Sequence, residues 1–122
     1  GCLSEDEILT TIKTCFNETG YLLDTHTAIG YGVLKQYQQE TGDHTKTVLL
    51  STASPYKFPE SVYQAIYGEE LDVYTAIDKL SEKTGVPVPQ ALAGIKEREV
   101  LHKEAIDKTE IISFIKSEIE AM

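Results

Sequence analysis

The side chains best suited to chemistry lie in two stretches, Asp24-Thr25-His26-Thr27-Ala28-Ile29-Gly30-Tyr31-Gly32 and Leu49-Leu50-Ser51-Thr52-Ala53-Ser54-Pro55-Tyr56-Lys57-Phe58-Pro59-Glu60. His26 falls at the expected first turn of a helix, where anions are favoured. An imidazole there can carry a proton or donate a hydrogen bond to a phosphate or carboxylate. Local capping explains the same histidine equally well. Ser51, Thr52 and Ser54 follow an apolar run that reads as a strand, so they would sit at its carboxyl end, where open α/β folds place ligands. A strand-end or capping role is the plainer account of Thr52. Lys57 can attract an anionic substrate, although a lysine beside Phe58-Pro59 is commonly a solvated residue.

Taken together, the two stretches resemble the C-terminal part of threonine synthase. In that family a D/E-P-H-T/A-A stretch opens a helix, and a later strand runs into T-A-H-P-A-K-F-P-E. Two positions depart from the pattern. Thr25 stands where proline is usual, which relaxes a turn, and Ser54 stands where the second histidine is usual, which removes a titratable group from the active-site rim. The similarity is strongest from Tyr21 to Gly68 and weak after Val86.

The resemblance implies a pyridoxal-phosphate enzyme of fold type II, with a tryptophan synthase β-like fold. Residues 1–122 would form a single C-terminal portion of a larger enzyme, a helix-rich α/β fragment with one or a few strands. The Schiff-base lysine and the Gly-rich phosphate loop are expected outside this chain. The implied reaction converts O-phosphohomoserine and water into threonine and phosphate. By the same match Thr52 would be cofactor-binding, facing the pyridine nitrogen. A neutral hydroxyl suits an unprotonated ring nitrogen, whereas a carboxylate would hold it protonated. His26, Ser54 and Lys57 would lie on the substrate-facing rim. His26 is the nearest candidate for catalysis, and no residue here is assigned as catalytic outright.

The elements that must position these residues are legible from local signals. Ser4 with Glu7 forms a capping-box pattern, and Ile8, Leu9, Ile12, Cys15 and Phe16 follow at helical spacing up to Gly20. A second helix is expected to start at Asp24 or Thr25, carrying Ile29, Val33, Leu34 and Tyr37 on one face before Gly42. Gly30 and Gly32 inside it each cost about 1 kcal/mol relative to alanine, which points to a close approach by another backbone or a ligand. Residues 47–51, Thr-Val-Leu-Leu-Ser, read as a buried central strand. Pro59, Val62, Ala65, Ile66 and Gly68 mark a short helix, and Asp72, Val73, Ala76, Ile77, Leu80 and Gly85 mark the next. After Pro87 and Pro89, residues Ala91, Leu92 and Ile95 suggest one more helical stretch. The terminal helix opens at Asp107 or Thr109, with Ile111, Ile112, Ile115, Ile119 and Met122 in a stripe.

Composition narrows the function classes. Eleven Lys and Arg against twenty Asp and Glu give a net charge of −9, which disfavours nucleic acid and anionic lipid as partners. The acidic surplus reads as solvated faces. Cys2 and Cys15 fit no metal-ligand spacing and read as ordinary thiols, so cytoplasm is the expected compartment and no metal is expected. His44 and His102 read as surface residues, and Tyr21, Tyr31 and Tyr37 as packing near the motif. No apolar run is long enough for a membrane span. Gly1, where an initiator Met would stand, reads as a tag residue. The expected partners are the missing N-terminal part of the enzyme and the small-molecule substrate, with self-association through uncovered apolar faces. Two rivals remain at this level: another fold type II lyase such as a dehydratase, or a non-catalytic α/β interaction module. A lysine-bearing segment upstream in the gene separates the module from the enzymes.

Overall fold

The computed structural model describes residues 1–101 and 103–121, so the readings of His102 and Met122 lie outside the described residues. The helices are α1 (Glu5–Thr19), α2 (Thr25–Thr41), α3 (Pro59–Tyr67), α4 (Val73–Thr84) and α5 (Ile111–Glu120), with short 3-10 turns at Pro55–Lys57 and Ile95–Glu97. Their ends follow from local chemistry. Ser4 caps α1 as half of a reciprocal pair, in which its backbone N–H donates to Glu7 Oε2 at 2.6 Å and its Oγ accepts from the Glu7 N–H at 3.3 Å. Asp72 accepts from the N–H groups of Tyr74 and Thr75 to start α4. Gly20 ends α1 at φ 74°, a left-handed conformation that a residue with a Cβ adopts only at a cost.

The core lies where α1 meets α2 and α3, and where α3 meets α4. Ile12 and Cys15 of α1, Val62, Tyr63, Ala65 and Ile66 of α3, and Ala76, Ile77 and Leu80 of α4 are buried there, joined by Leu22, Leu23 and Tyr56. Ile12, Cys15, Val62, Ala65, Ile66, Ala76, Ile77 and Leu80 are inward positions expected from helical spacing, whereas Tyr63, Leu22, Leu23 and Tyr56 are buried outside that expected set. Val73, expected to point inward, is exposed at the first turn of α4.

The structure corrects three further expectations. Among the described residues there is no strand, and residues 47–51 have no regular secondary structure. A strand needs a neighbour to accept and donate its backbone hydrogen bonds, and a lone segment has none. Val48 and Leu50 are 80% and 77% exposed, so the segment lacks the two-sided burial that its composition suggested. The fold of the described residues is therefore helical, without the central sheet element.

The second correction concerns α2. Ile29 and Tyr37 are exposed, and the buried positions are Thr27, Ala28 and Gly32. Small residues face the core because the neighbours come close. A Cβ built on Gly32 would stand 2.5 Å from the Leu3 Cδ1 and 3.1 Å from the Thr11 Oγ1, and one on Gly30 would stand 3.0 Å from the Leu49 Cδ1. A close approach exists at both glycines, but it is made by the side chains of Leu3, Thr11 and Leu49 and not by the backbone or ligand expected from the sequence. Gly32→Val should overpack this contact and destabilise the protein by about 1–3 kcal/mol in denaturant unfolding. An unchanged midpoint would show that α1 and α2 can separate freely there.

Third, α5 opens later than expected, and its isoleucine stripe is exposed. Ile111, Ile112, Ile115 and Ile119 are all exposed, and the helix begins after Glu110, while Asp107 instead caps the preceding turn by accepting from the Thr109 N–H at 2.8 Å. Of the short helical stretch expected here, Ala91 and Leu92 fall in a turn closed by the Leu92 N–H donating to the Pro89 carbonyl at 2.8 Å, while Ile95 opens the 3-10 turn Ile95–Glu97.

Candidate functional site

Asp24 is the hub of the site. Its side chain is only 2% exposed, and Oδ1 accepts from the backbone N–H groups of His26 at 2.9 Å and Thr27 at 3.1 Å. This is an N-cap that satisfies otherwise unpaired donors at the start of α2. The Thr27 hydroxyl donates to Asp24 Oδ2. Ser51, far along the chain, reaches the same cluster, its Oγ lying 3.2 Å from Thr27 Oγ1 and 3.5 Å from Asp24 Oδ2. Thr27 has one hydroxyl proton and directs it at Asp24, so Ser51 supplies the proton between the two hydroxyls. Burial on its own would raise the Asp24 pKa, but the Thr27 hydroxyl and the Thr27 and His26 N–H groups together outweigh it and hold the carboxyl below the usual aspartate range.

The structure brings the second stretch onto the first. His26 is exposed, and its ring centroid lies 5.6 Å from that of Phe58 at an interplanar angle of 31°. Lys57 Nζ lies 5.8 Å from the Phe58 centroid, within cation–π range. His26 and Lys57 thus share one aromatic neighbour, which places an imidazole and an ammonium on the same rim. His26 Nδ1 also lies 3.4 Å from Thr25 Oγ1 and 3.6 Å from Asp24 Oδ1. Ser54 acts locally, where its Oγ accepts from the Tyr56 N–H at 3.2 Å and starts the Pro55–Lys57 turn. Thr52 is exposed, and its hydroxyl has no hydrogen-bond partner among the described residues.

Residues not singled out from the sequence hold this arrangement in place. Tyr56 is buried, and its hydroxyl donates to the Val86 carbonyl at 2.5 Å, which ties the 3-10 turn to the end of α4. Burial pushes its phenol pKa up, against a smaller lowering by Ser81. Glu60, at the second position of α3, has an Oε2 that is buried without a donor among the described residues. A cleft of about 250 Å³ opens beside the hub, with Thr27, Tyr31, Leu49 and Ser51 in its lining. No group of three or more metal-ligating side chains is found among the described residues, and both cysteines are free.

The family described as "Threonine synthase, C-terminal" matches residues 27–115, most of the chain, with all of the second stretch and the first from Thr27 onward. The chain belongs to the threonine synthase C-terminal family. A threonine synthase of Haemophilus influenzae is 41% identical over 65% of this chain and 17% of its own length. One of Pseudomonas aeruginosa is 36% identical over 55% of this chain and 14% of its own. The mouse protein threonine synthase-like 1 is 32% identical over 79% of this chain and 13% of its own. Each match therefore spans well under a quarter of the relative, and the family assignment concerns a C-terminal part.

The exposed Thr52 hydroxyl is chemically able to donate to a neutral acceptor such as an unprotonated pyridine nitrogen, so this residue fits the pyridoxal phosphate expected for the family. No helix among the described residues is long and apolar enough to cross a membrane.

Proposed function

We propose that residues 1–122 are the C-terminal portion of a threonine synthase that converts O-phosphohomoserine and water to threonine and phosphate. The observation that carries the reading is the convergence of the two family stretches at one rim, where His26 and Lys57 lie against Phe58 and the uncommitted Thr52 follows the tethered Ser51. Pyridoxal phosphate supplies an electron sink in this chemistry. Thr52 would donate to its ring nitrogen, while Lys57 and His26 would draw the anionic substrate to the rim and orient it. Ser54 serves the site by fixing the turn that presents Lys57.

Two surfaces support a larger parent protein. Val48 and Leu50 project from a segment with strand composition and no strand neighbour among the described residues, where Glu60 also keeps a buried carboxylate oxygen without a donor. Upstream chain containing a sheet and the Schiff-base lysine would supply both. That upstream part is the proposed partner, the cytoplasm the proposed compartment, and self-association the proposed behaviour of the isolated chain, whose apolar faces are uncovered.

The experiment compares the 122-residue chain with the full-length protein in a phosphate-release assay on O-phosphohomoserine. The full-length protein should release phosphate and form threonine, and the chain alone should do neither. Release by the isolated chain would refute the assignment of the lysine to upstream sequence. A full-length protein inactive on O-phosphohomoserine but active on a hydroxyamino acid would favour the dehydratase reading.

A further inference from the structure

Thr52 sits in irregular backbone, which by itself fixes no side-chain direction, yet a hydroxyl that recognises one ring atom must be held to within a fraction of an ångström. Its neighbours on both sides are anchored. Upstream, Leu49 packs over Gly30, and Ser51 joins the Asp24–Thr27 cluster at the start of α2. Downstream, Ser54 caps the 3-10 turn and Tyr56 is bound to the Val86 carbonyl. Only Thr52 and Ala53 lie between the anchors.

We propose that Asp24 and Ser51 are positioning residues that aim the Thr52 hydroxyl by tying residue 51 to the α2 N-terminus. The inference rests on the cofactor reading of Thr52 given above. The Asp24 carboxylate makes a suitable anchor because it is buried, charged and already fixed by N–H donors on its own helix, so that the Thr27 hydroxyl bound to it, and Ser51 through Thr27, inherit the helix's rigidity. The cluster joins residues 24 and 27 of one family stretch to residue 51 of the other, and capping of α2 needs only the first two.

The test uses the full-length protein and the variants Ser51→Ala, Ser51→Thr and Thr52→Ala. Hydrogen exchange of peptides from the cofactor-free protein reports the tether, and titration with pyridoxal phosphate, followed by its absorbance, reports the aim. Ser51→Ala should make exchange across residues 49–54 about fivefold faster while α1 and α3 are unchanged, and should weaken cofactor binding several-fold. Ser51→Thr should restore both. A merely structural serine would leave the exchange of this peptide and the cofactor affinity where they are, and that result overturns the proposal. If exchange quickens but affinity holds, the aiming role is overturned. Thr52→Ala then locates the fault: weakened binding in that variant leaves the Thr52 reading intact, whereas unchanged binding shows that Thr52 does not meet the cofactor.

Discussion

Tyr63→Ala is expected to lower stability by about 3–5 kcal/mol, the range seen when a buried aromatic side chain is truncated and its cavity only partly collapses. Tyr63 is fully buried in α3, among the side chains that α1 and α4 press against it. Its ring packs against that of Tyr67 in a tilted arrangement with centroids 4.8 Å apart, and Lys83 of α4 lies over both rings, at 5.1 Å from Tyr63 and 4.5 Å from Tyr67. The hydroxyl matters much less. It donates to the exposed Glu69 at 3.4 Å, a long bond whose loss in Tyr63→Phe should cost less than about 1 kcal/mol. Urea unfolding of the two variants checks this, since Ala should shift the midpoint strongly and Phe hardly at all. Comparable shifts would mean that the polar bond, rather than the packing, stabilises α3 on α4.

What could be read from the sequence was what depends on near neighbours. Ser4 with Glu7, Asp24, Asp72 and the glycines that end α1 to α4 act within a turn of where they stand, so their types announced the helix ends. Residues 47–51 failed for the opposite reason. Val48 and Leu50 have the right types for a buried strand, but a strand exists only through its neighbour, and none is present among the described residues. The α5 stripe shows the same dependence, because its isoleucines are at helical spacing yet bury nothing here. In α2 the glycines were the better guide: Gly32 faces the closely approaching Leu3 and Thr11, while the bulkier Ile29 and Tyr37 stay outside.

The site divides in the same way. Residue types and the family resemblance pointed to Thr52, His26, Ser54 and Lys57, and the contact of His26 and Lys57 with Phe58 joins two of them. The bond between Ser51 and the Asp24–Thr27 pair had no sequence signal, because an aspartate at a helix start is fully explained by capping, and nothing local marks a partner 27 residues away. Tyr56 was hidden likewise, as its carbonyl partner lies 30 residues on.

The sharpest functional expectation concerns Thr52 in the full-length protein. Because the hydroxyl has no partner among the described residues, removing it leaves the fold's own hydrogen bonds intact, so a loss in Thr52→Ala reports the ligand interaction rather than stability. A hydrogen bond of this kind contributes about 0.5–1.5 kcal/mol net, so cofactor affinity and turnover should fall roughly tenfold where the donor is preorganised. Thr52→Ser keeps the hydroxyl and should recover most of that loss. Thr52→Asp places a carboxylate opposite the ring nitrogen, where it favours a proton on that atom and should move the product balance toward side reactions that need a stronger electron sink. Pyridoxal-phosphate titration and product analysis of the three variants give the measurement. If Ala and Ser both match the parent in affinity and rate, Thr52 is a linker residue, and the uncommitted hydroxyl beside the Asp24 cluster has no part in holding the cofactor.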